Sequence, residues 1–448
     1  MPQLPISSPL RTAAFVGVPC LALAAGAVLL LPRATPEKSS APVPAAEMAA
    51  AKAVKKAPVN GSVRIGLRSI SGRTSVGLRA ATRGQLLNAA GKKLRSLPAD
   101  KPIWLTADFS EQKVRVRGPG FEVSEPEVVL AASRLRIGDR RYPGRVRVRL
   151  SGTGLSLINE LDIEQYLEGV LPGELPRGFG MEAQKAQAVA ARTYALVQRG
   201  KHGEYDLCDI TCCQMYLGQS SHSRRGLAAV RATARLCLWQ DDELAYTFYS
   251  ADCGGISTRV EDVPLKDKPE HPLPYLTVVK DAPARGADYC ASSPFHQWTR
   301  RVSWADLESR LNAWETTYIG KLRGVEVAKT DDSGRVTEIR LTGFEAPVES
   351  TASAAGVLGG DAAAEPKPVE RVITGWSFRN AVGARTLLST LFQIDASDPQ
   401  QVRFQGRGNG HGLGLCQIGA NGMSGKGASF REILAHYYPG TRLEKVAR

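Results

Sequence analysis

The sequence predicts an α+β fold with a β-rich N-terminal third and a helical centre. From Gly61 to about Leu157, short runs such as RVRVRLSG alternate apolar and polar residues between Gly and Pro, the period of β-strands. From Met181 to Gln198 the apolar period becomes that of an α-helix. The residues that set this helical period are Ala183, Ala186, Ala190, Tyr194 and Val197.

The many alanines on one face of this segment allow close packing. We therefore expect a buried central helix, from whose packed face Lys185 and Arg192 point away. A shorter helix is predicted before it, capped by Asp162 with Gln165 as the capping-box partner, and ended at Leu171 by Pro172-Gly173. Further strands are predicted at 245–250, 275–279, 336–341 and 402–405.

The N-terminal segment indicates export. Residues 13–31 are almost wholly apolar and lie between Arg11 and Arg33. This length fits a long signal-peptide core or a short membrane span, and a buried core helix is the alternative. We therefore predict that residues 1–34 are a signal peptide or a membrane anchor and that the protein is extracytoplasmic, secreted or anchored.

Two stretches lack apolar periodicity. Residues 35–60 are rich in Ala, Pro, Lys and Glu and are predicted to be a linker. An Ala/Gly/Glu/Pro-rich stretch near 345–369 is predicted to be a flexible insertion. After the linker, the alternating pattern favours a β-rich N-terminal region that begins at residue 61.

The net charge of +14 favours an anionic partner. The Lys and Arg residues are spread along the chain, and no basic cluster lies on a recognisable DNA-binding motif. We therefore predict no nucleic-acid partner. An anionic polymer such as a cell wall, or an anionic membrane face, remains compatible with the charge.

Glu174 is the first candidate for chemistry. It lies in LPGELP, where the flanking prolines and apolar residues predict a turn between two helices. A carboxylate held there is partly buried, which raises its pKa toward the range that a general acid needs at neutral pH. A solvated glutamate in a turn is the alternative on turn chemistry alone.

The segment from His202 to Tyr216 is a candidate metal site. His202, Cys208, Cys212 and Cys213 offer an imidazole and soft thiolates, which suit tetrahedral zinc. Disulfides are the alternative, because an exported protein with seven cysteines after Cys20 can oxidise them. Adjacent cysteines do not readily pair with each other, so either a metal or two separate partners is required.

Two further segments can present polar groups to a ligand. FYSADCGGISTRVEDV places Tyr249 and Ser250 before a Gly-Gly turn, and a polar hairpin tip is the alternative. GRGNGHGLGLCQIGANGM embeds His411 and Gln417 among glycines, which allow close backbone packing or line a groove. This second segment lacks the context of a dinucleotide or phosphate loop.

Together these segments resemble the SpoIID/LytB family, the relatives of stage II sporulation protein D. The resemblance rests on LPGELP, EAQKAQAVAARTYA, CDITCCQMYLG, YSADCGGISTRVEDV and GRGNGHGLGLCQIGANGM, which stand in the family's order. SFREILAHYYPGT also resembles the family's C-terminal helix. The resemblance covers roughly residues 135–441. It implies one large SpoIID-like catalytic domain over 135–448, which contains the insertion near 345–369 and leaves 61–134 as the β-rich N-terminal region.

The resemblance implies a peptidoglycan lytic transglycosylase that acts in sporulation or cell division. It places the catalytic role on Glu174, while Tyr249, Ser250, His411 and Gln417 are candidates to bind peptidoglycan glycan strands. Relatives are also linked to a cell-wall amidase, so a non-catalytic activator is the alternative.

Three expectations about single residues follow the resemblance. Relatives with a metal usually have His where Cys212 stands, so a structural zinc site would be richer in cysteine here. Cys253 and Cys290 are the pair expected to form a disulfide. Glu261 and Asp262 are expected to be structural, capping the turn that follows Gly255.

Overall fold

The computed structural model describes residues 61–221, 223–265, 269, 271–345 and 367–447. The predicted signal or anchor (1–34), the linker (35–60) and most of the insertion near 345–369 lie outside these residues. Within them, no helix is both long and apolar enough to cross a bilayer.

A twisted sheet of eleven strands forms the N-terminal part, as the alternating runs predict. Its main path runs in the order β11-β1-β10-β9-β8-β2-β5-β6-β7, with β3 pairing β8 and β4. All pairs are antiparallel except β1 with β11. The predicted boundary between residues 134 and 135 falls inside β8. The strands are β1 (Ser62–Gly66), β2 (Ser75–Ala80), β3 (Gly84–Asn88), β4 (Lys93–Leu97), β5 (Pro102–Asp108), β6 (Lys113–Gly118), β7 (Phe121–Glu125), β8 (Glu127–Ile137), β9 (Arg140–Ser151), β10 (Gly154–Asp162) and β11 (Leu207–Cys208).

Helices α1 (Ile163–Glu174) and α2 (Met181–Val197) follow this sheet. Asp162 caps α1 as predicted, by accepting a hydrogen bond from the backbone N–H of Glu164 at 2.8 Å. However, α1 does not end at Leu171. It continues through Pro172, because its last turn is packed against the segment around Met215.

Helix α2 is the predicted central helix. It packs against α1, the later helices and a small sheet, and its alanines are buried. The expectation for Arg192 is wrong, because its side chain is fully buried and donates to Glu164 on α1 at 2.7 and 2.9 Å. A buried guanidinium requires an anionic partner, which α1 supplies.

In the part of the chain that the structure describes, four smaller sheets and five further α-helices complete the fold. The predicted strands at 336–341 and 402–405 are confirmed, residues 275–279 form no strand, and only Tyr249 and Ser250 of 245–250 lie in β14. The strands are β12 (Leu236–Gln240), β13 (Glu243–Leu244), β14 (Tyr249–Ser250), β15 (Trp298–Ser303), β16 (Lys321–Thr330), β17 (Val336–Phe344), β18 (Pro368–Thr374), β19 (Phe392–Asp395), β20 (Gln401–Gly406), β21 (Leu415–Cys416) and β22 (Arg442–Lys445). The helices are α3 (Arg224–Ala232), α4 (Trp304–Asn312), α5 (Gly375–Val382), α6 (Gln417–Gly425) and α7 (Phe430–Tyr437).

Two hydrophobic cores result. The larger joins the eleven-stranded sheet to α1, α2, α3, α6 and α7. The smaller lies between residues 298 and 404, under α4, α5 and the strands β15 to β20. The parallel pair β14–β21 belongs to the larger core and brings the two polar segments of the sequence side by side.

Candidate active site

Glu174 is the last residue of α1, where the structure differs from the predicted turn between two helices. Its Oε1 accepts a hydrogen bond from the backbone N–H of Met215 at 2.6 Å. A Cβ at Gly173 would lie 2.3 Å from the Met215 carbonyl oxygen, so only glycine permits this approach. The close contact fixes the carboxyl group against the segment that follows Cys213.

Burial raises the pKa of Glu174 to about 7, and hydrogen bonds from Met215, Gln417 and Tyr249 keep the pKa from rising further. Glu174 also lies at the C-terminus of a helix, where the partial negative charge of the backbone disfavours an anion. Near neutral pH the group is therefore present in both protonation states, so it can donate a proton and then accept one.

The side chain of Glu174 borders a cavity of about 440 Å³. This volume lies within the usual range of ligand sites. Tyr249, Ser250, His411 and Gln417, the four predicted substrate-binding residues, line the same cavity, as do Cys212 and Cys213. The structure therefore brings together residues that lie up to 243 positions apart in the sequence.

A buried hydrogen-bond chain orients Tyr249. The Tyr166 hydroxyl donates to Gln214 Oε1 at 3.1 Å, and Gln214 Nε2 donates to the Tyr249 hydroxyl at 2.9 Å. The Tyr249 hydroxyl is thereby left free to donate to Glu174. Sequence analysis missed Gln214, although a glutamine between two cysteines and a tyrosine in CCQMY was the available signal.

His411 is held as a neutral imidazole. Its Nδ1 accepts a hydrogen bond from the backbone N–H of Leu413 at 3.0 Å. Burial, together with the nearby Arg335 and Arg379, lowers the pKa of His411 to about 4. At neutral pH His411 thus carries no charge, and it is not available as a strong acid.

Ser250 and Gln417 are buried at the same wall. Among the residues that the structure describes, the Ser250 Oγ has no hydrogen-bond partner. Gly410 adopts a φ of 113°, and a Cβ there would approach Ser250 Cβ to 2.8 Å. The glycine-rich segment therefore packs directly on β14, as its composition allows.

The predicted metal-binding residues also meet. The His202 imidazole and the sulfurs of Cys208, Cys212 and Cys213 all lie within 4.8 Å of one another. His202 Nε2 is 3.1 Å from Cys213 Sγ, and the Cys212 and Cys213 sulfurs are 3.9 Å apart. Zinc–sulfur bonds of about 2.3 Å in a tetrahedron place sulfurs about 3.8 Å apart, so the residues fit a zinc ion.

The structure does not show the expected disulfide or the expected capping by Glu261 and Asp262. Cys253 and Cys290 are close, but their sulfurs are 3.9 Å apart rather than the ~2.05 Å of a disulfide, so the predicted bond is not formed. Glu261 and Asp262 lie on a short 3-10 helix, Val260–Asp262, that has no side-chain cap. Neither of them lines the cavity.

Comparison with known proteins shows which family part of this chain resembles. Residues 151–239, which include α1, Glu174 and the first cysteine cluster, match the family model described as SpoIID, stage II sporulation protein. This match supports the SpoIID/LytB family, the one that the five sequence blocks resemble.

The chain is also similar to individual proteins along more of its length. An uncharacterized protein of Brachyspira hyodysenteriae (strain ATCC 49526 / WA1) is 29% identical over 63% of this chain and 67% of its own length. The amidase enhancer of Bacillus subtilis (strain 168) is 28% identical over 74% of this chain. Stage II sporulation protein D of Bacillus amyloliquefaciens is 24% identical over 67% of this chain and 79% of its own length. The chain spans about half, 48%, of the amidase enhancer.

Proposed function

We propose that this chain is an exported enzyme that cuts peptidoglycan glycan strands between N-acetylmuramic acid and N-acetylglucosamine by lytic transglycosylation. The match to the family model and the names of two relatives support a role at the cell wall. The observation that carries the finer proposal is the carboxyl group of Glu174, which borders a cavity and has a pKa of about 7.

Glu174 acts first as an acid and then as a base. Protonated Glu174 donates its proton to the glycosidic oxygen as the bond from that oxygen to C1 of N-acetylmuramic acid breaks. The resulting carboxylate accepts the proton of the C6 hydroxyl group of the same sugar while that oxygen bonds to C1. A 1,6-anhydro ring forms, and Glu174 regains its proton without a water molecule being consumed.

The number of carboxyl groups that line the cavity favours this attack by the C6 hydroxyl group of the sugar itself. Glycosidases that use water generally place two carboxyl groups on either side of the scissile bond. Of the described residues that line the cavity, Glu174 is the only one with a carboxyl group. Glu261 and Asp262, the alternative water-activating residues, lie outside that lining.

The remaining predicted residues are proposed to bind the sugar. The buried Ser250 hydroxyl lacks a protein partner in the described part of the chain, so it can bond a sugar hydroxyl or acetamido group. Tyr249 and Gln417 hold the Glu174 carboxyl, and neutral His411 shapes the same wall. Tyr194 and Phe248 add aromatic surface to the cavity.

We further propose that His202, Cys208, Cys212 and Cys213 hold a structural zinc ion beside the cavity. The ligand distances above support a tetrahedral site, and β11 anchors Cys208 at the edge of the large sheet. Elemental analysis should find one equivalent of zinc less in Cys208→Ser/Cys213→Ser than in the unaltered chain. Removal of the ion should lower the melting temperature, because a structural zinc contributes folding free energy. Mapped disulfides through Cys208 and Cys213 would contradict this proposal.

A glycan-binding activator of a cell-wall amidase is the second candidate function. The observation that favours it is the 28% identity to an amidase enhancer. In either role the residues before 61 are proposed to direct the chain across the membrane, and to anchor it there if they are not cleaved.

Digestion of purified peptidoglycan, with and without stem peptides, separates the candidates. We expect soluble fragments whose N-acetylmuramic acid ends resist borohydride, since an internal acetal has no reducible carbonyl. Mass spectrometry would find these ends lighter than reduced hydrolytic ends by one water and two hydrogens. Ends that all take up borohydride would indicate hydrolysis instead. Stimulation of an added amidase without fragment release would indicate the activator.

A further inference from the structure

A second cluster of cysteines lies behind the β14–β21 wall of the cavity. A carboxylate oxygen of Asp252 and the sulfurs of Cys253, Cys290 and Cys416 lie within 4.8 Å of one another, and all four residues are buried. They come from three separate segments: the residues after β14, a loop, and the end of β21. We propose that these residues form a second, structural zinc site that fastens this wall of the cavity.

The distances suit a metal better than a disulfide. The sulfurs of Cys253 and Cys290 are 3.9 Å apart. Two thiolates on one tetrahedral zinc ion lie about 3.8 Å apart, whereas bonded sulfurs lie about 2.05 Å apart. Cys416 and Asp252 complete a set of four ligands, the number that structural zinc sites use.

Asp252 has an unused oxygen at the cluster. Its Oδ1 accepts a hydrogen bond from the backbone N–H of Gly254 at 2.7 Å. Its Oδ2 is buried, and no described residue bonds it. A buried carboxylate oxygen without a partner is costly, and coordination of a cation removes that cost.

Burial raises the pKa of the Cys416 thiol, but two backbone N–H groups face its sulfur. Cys416 is the N-cap of α6, and its sulfur accepts hydrogen bonds from the backbone N–H groups of Gly419 and Cys253, both at 3.3 Å. The N-terminus of a helix and backbone donors stabilise negative charge on sulfur. The thiolate is the form that binds a metal.

The charges around the cluster also fit. A zinc ion with three thiolates and one carboxylate has a net negative charge, which requires a buried cation nearby. Arg335 is 3% exposed and donates to the carbonyl oxygen of Cys253 at 2.7 Å. On the opposite side, His296 Nδ1 lies 3.4 Å from Cys290 Sγ, while its Nε2 faces the Asp288 carboxylate at 3.2 Å. Such outer partners orient the ligands of a metal.

The test uses the full-length chain, with the first cluster disabled by Cys208→Ser/Cys213→Ser so that remaining metal reports on the second. We expect this variant to retain one equivalent of zinc by elemental analysis. Adding Cys290→Ser should remove that zinc. Adding Cys237→Ser instead should leave that zinc in place, because Cys237 is equally buried but belongs to neither cluster.

Two measurements keep the test decisive if the triple variant does not fold. Cobalt(II) added to the metal-stripped first-cluster variant should give the visible bands of tetrahedral coordination and a thiolate charge-transfer band. Asp252→Asn, which keeps every cysteine, should weaken zinc retention during dialysis against a chelator at least tenfold. The proposal is overturned if the first-cluster variant binds no metal, if Cys290→Ser leaves its zinc unchanged, or if peptide mapping finds a Cys253–Cys290 disulfide.

Discussion

The cavity has two walls that differ in origin and in chemistry. One wall comes from α1, α2 and the segment after β11, lies within the residues that match the family model, and carries the titrating group Glu174. The other comes from β14, the glycine-rich segment and α6, and it carries Tyr249, Ser250, neutral His411 and Gln417. One wall carries the titrating carboxyl group. The other carries side chains that hydrogen-bond this carboxyl group or line the cavity beside it.

Each wall is backed by its own cysteine cluster. The first cluster is partly exposed, and Cys212 and Cys213 border the cavity directly. The second is fully buried and lies behind its wall. The two clusters therefore differ in how they are assembled: the first comes from one short segment, and the second joins three segments that are distant in the sequence.

The largest expected effect is on the acid-bearing wall. Glu174→Gln retains an oxygen for the Met215 N–H but removes the titrating proton, so fragment release should fall at least about 100-fold. Glu168→Gln, on the same helix but outside the cavity lining, is the matched control and should keep its rate. Near-normal release by Glu174→Gln would remove Glu174 from the catalytic role. Loss of release with retained amidase stimulation would show that both functions coexist.

The same substitution should stabilise the fold at high pH. The folded pKa of Glu174, about 7, lies above its unfolded value of 4.5, so ionisation disfavours the folded state as pH rises through this window. Glu174→Gln should therefore increase the free energy of unfolding at pH 8 by up to about 3 kcal/mol. The gain should vanish below pH ~4.5. Urea denaturation across pH measures it, and a gain that does not depend on pH would exclude a buried titrating Glu174.

On the wall that contains β14, Tyr249→Phe should reduce turnover about tenfold. This factor corresponds to the free energy of about one hydrogen bond to a charged group. Loss of this donor also removes stabilisation of the carboxylate, so the pKa of Glu174 rises and the pH–rate profile moves to higher pH. Tyr246→Phe, a half-buried tyrosine outside the cavity lining, should change neither. A lower rate with an unshifted pH profile would mean that Tyr249 does not touch the acid.

The smallest effect is expected at Ser250. Because its hydroxyl has no described protein partner, Ser250→Ala should change the free energy of unfolding by less than about 0.5 kcal/mol while it weakens glycan binding several-fold. Ser257→Ala is the contrasting control, since the Ser257 Oγ donates to the Thr277 carbonyl at 3.0 Å and accepts from the Val279 N–H at 2.8 Å. It should lose about 1–3 kcal/mol of stability. Unchanged binding by Ser250→Ala would place the glycan elsewhere in the cavity.

The sequence by itself determined the features that depend on neighbouring residues. Strand alternation, the central helix, the Asp162 cap and the chemistry-bearing segments around Glu174 and His411 were all predictable, because period, capping and glycine content act locally. The proximity of His202 and the three cysteines of the first cluster was also predictable, since these four residues lie within twelve positions of one another.

Only the tertiary structure decided what depends on distant packing. Pro172 lies inside α1 because Gly173 packs on Met215, and Arg192 is buried because α1 supplies Glu164. Gln214 acquires its role only when Tyr166 and Tyr249 reach it from separate elements. Likewise Cys253, Cys290 and Cys416 are 163 positions apart at their extremes. No local pattern indicates that a parallel pair of two-residue strands will bring them together, because that pairing is set by the packing of the whole core.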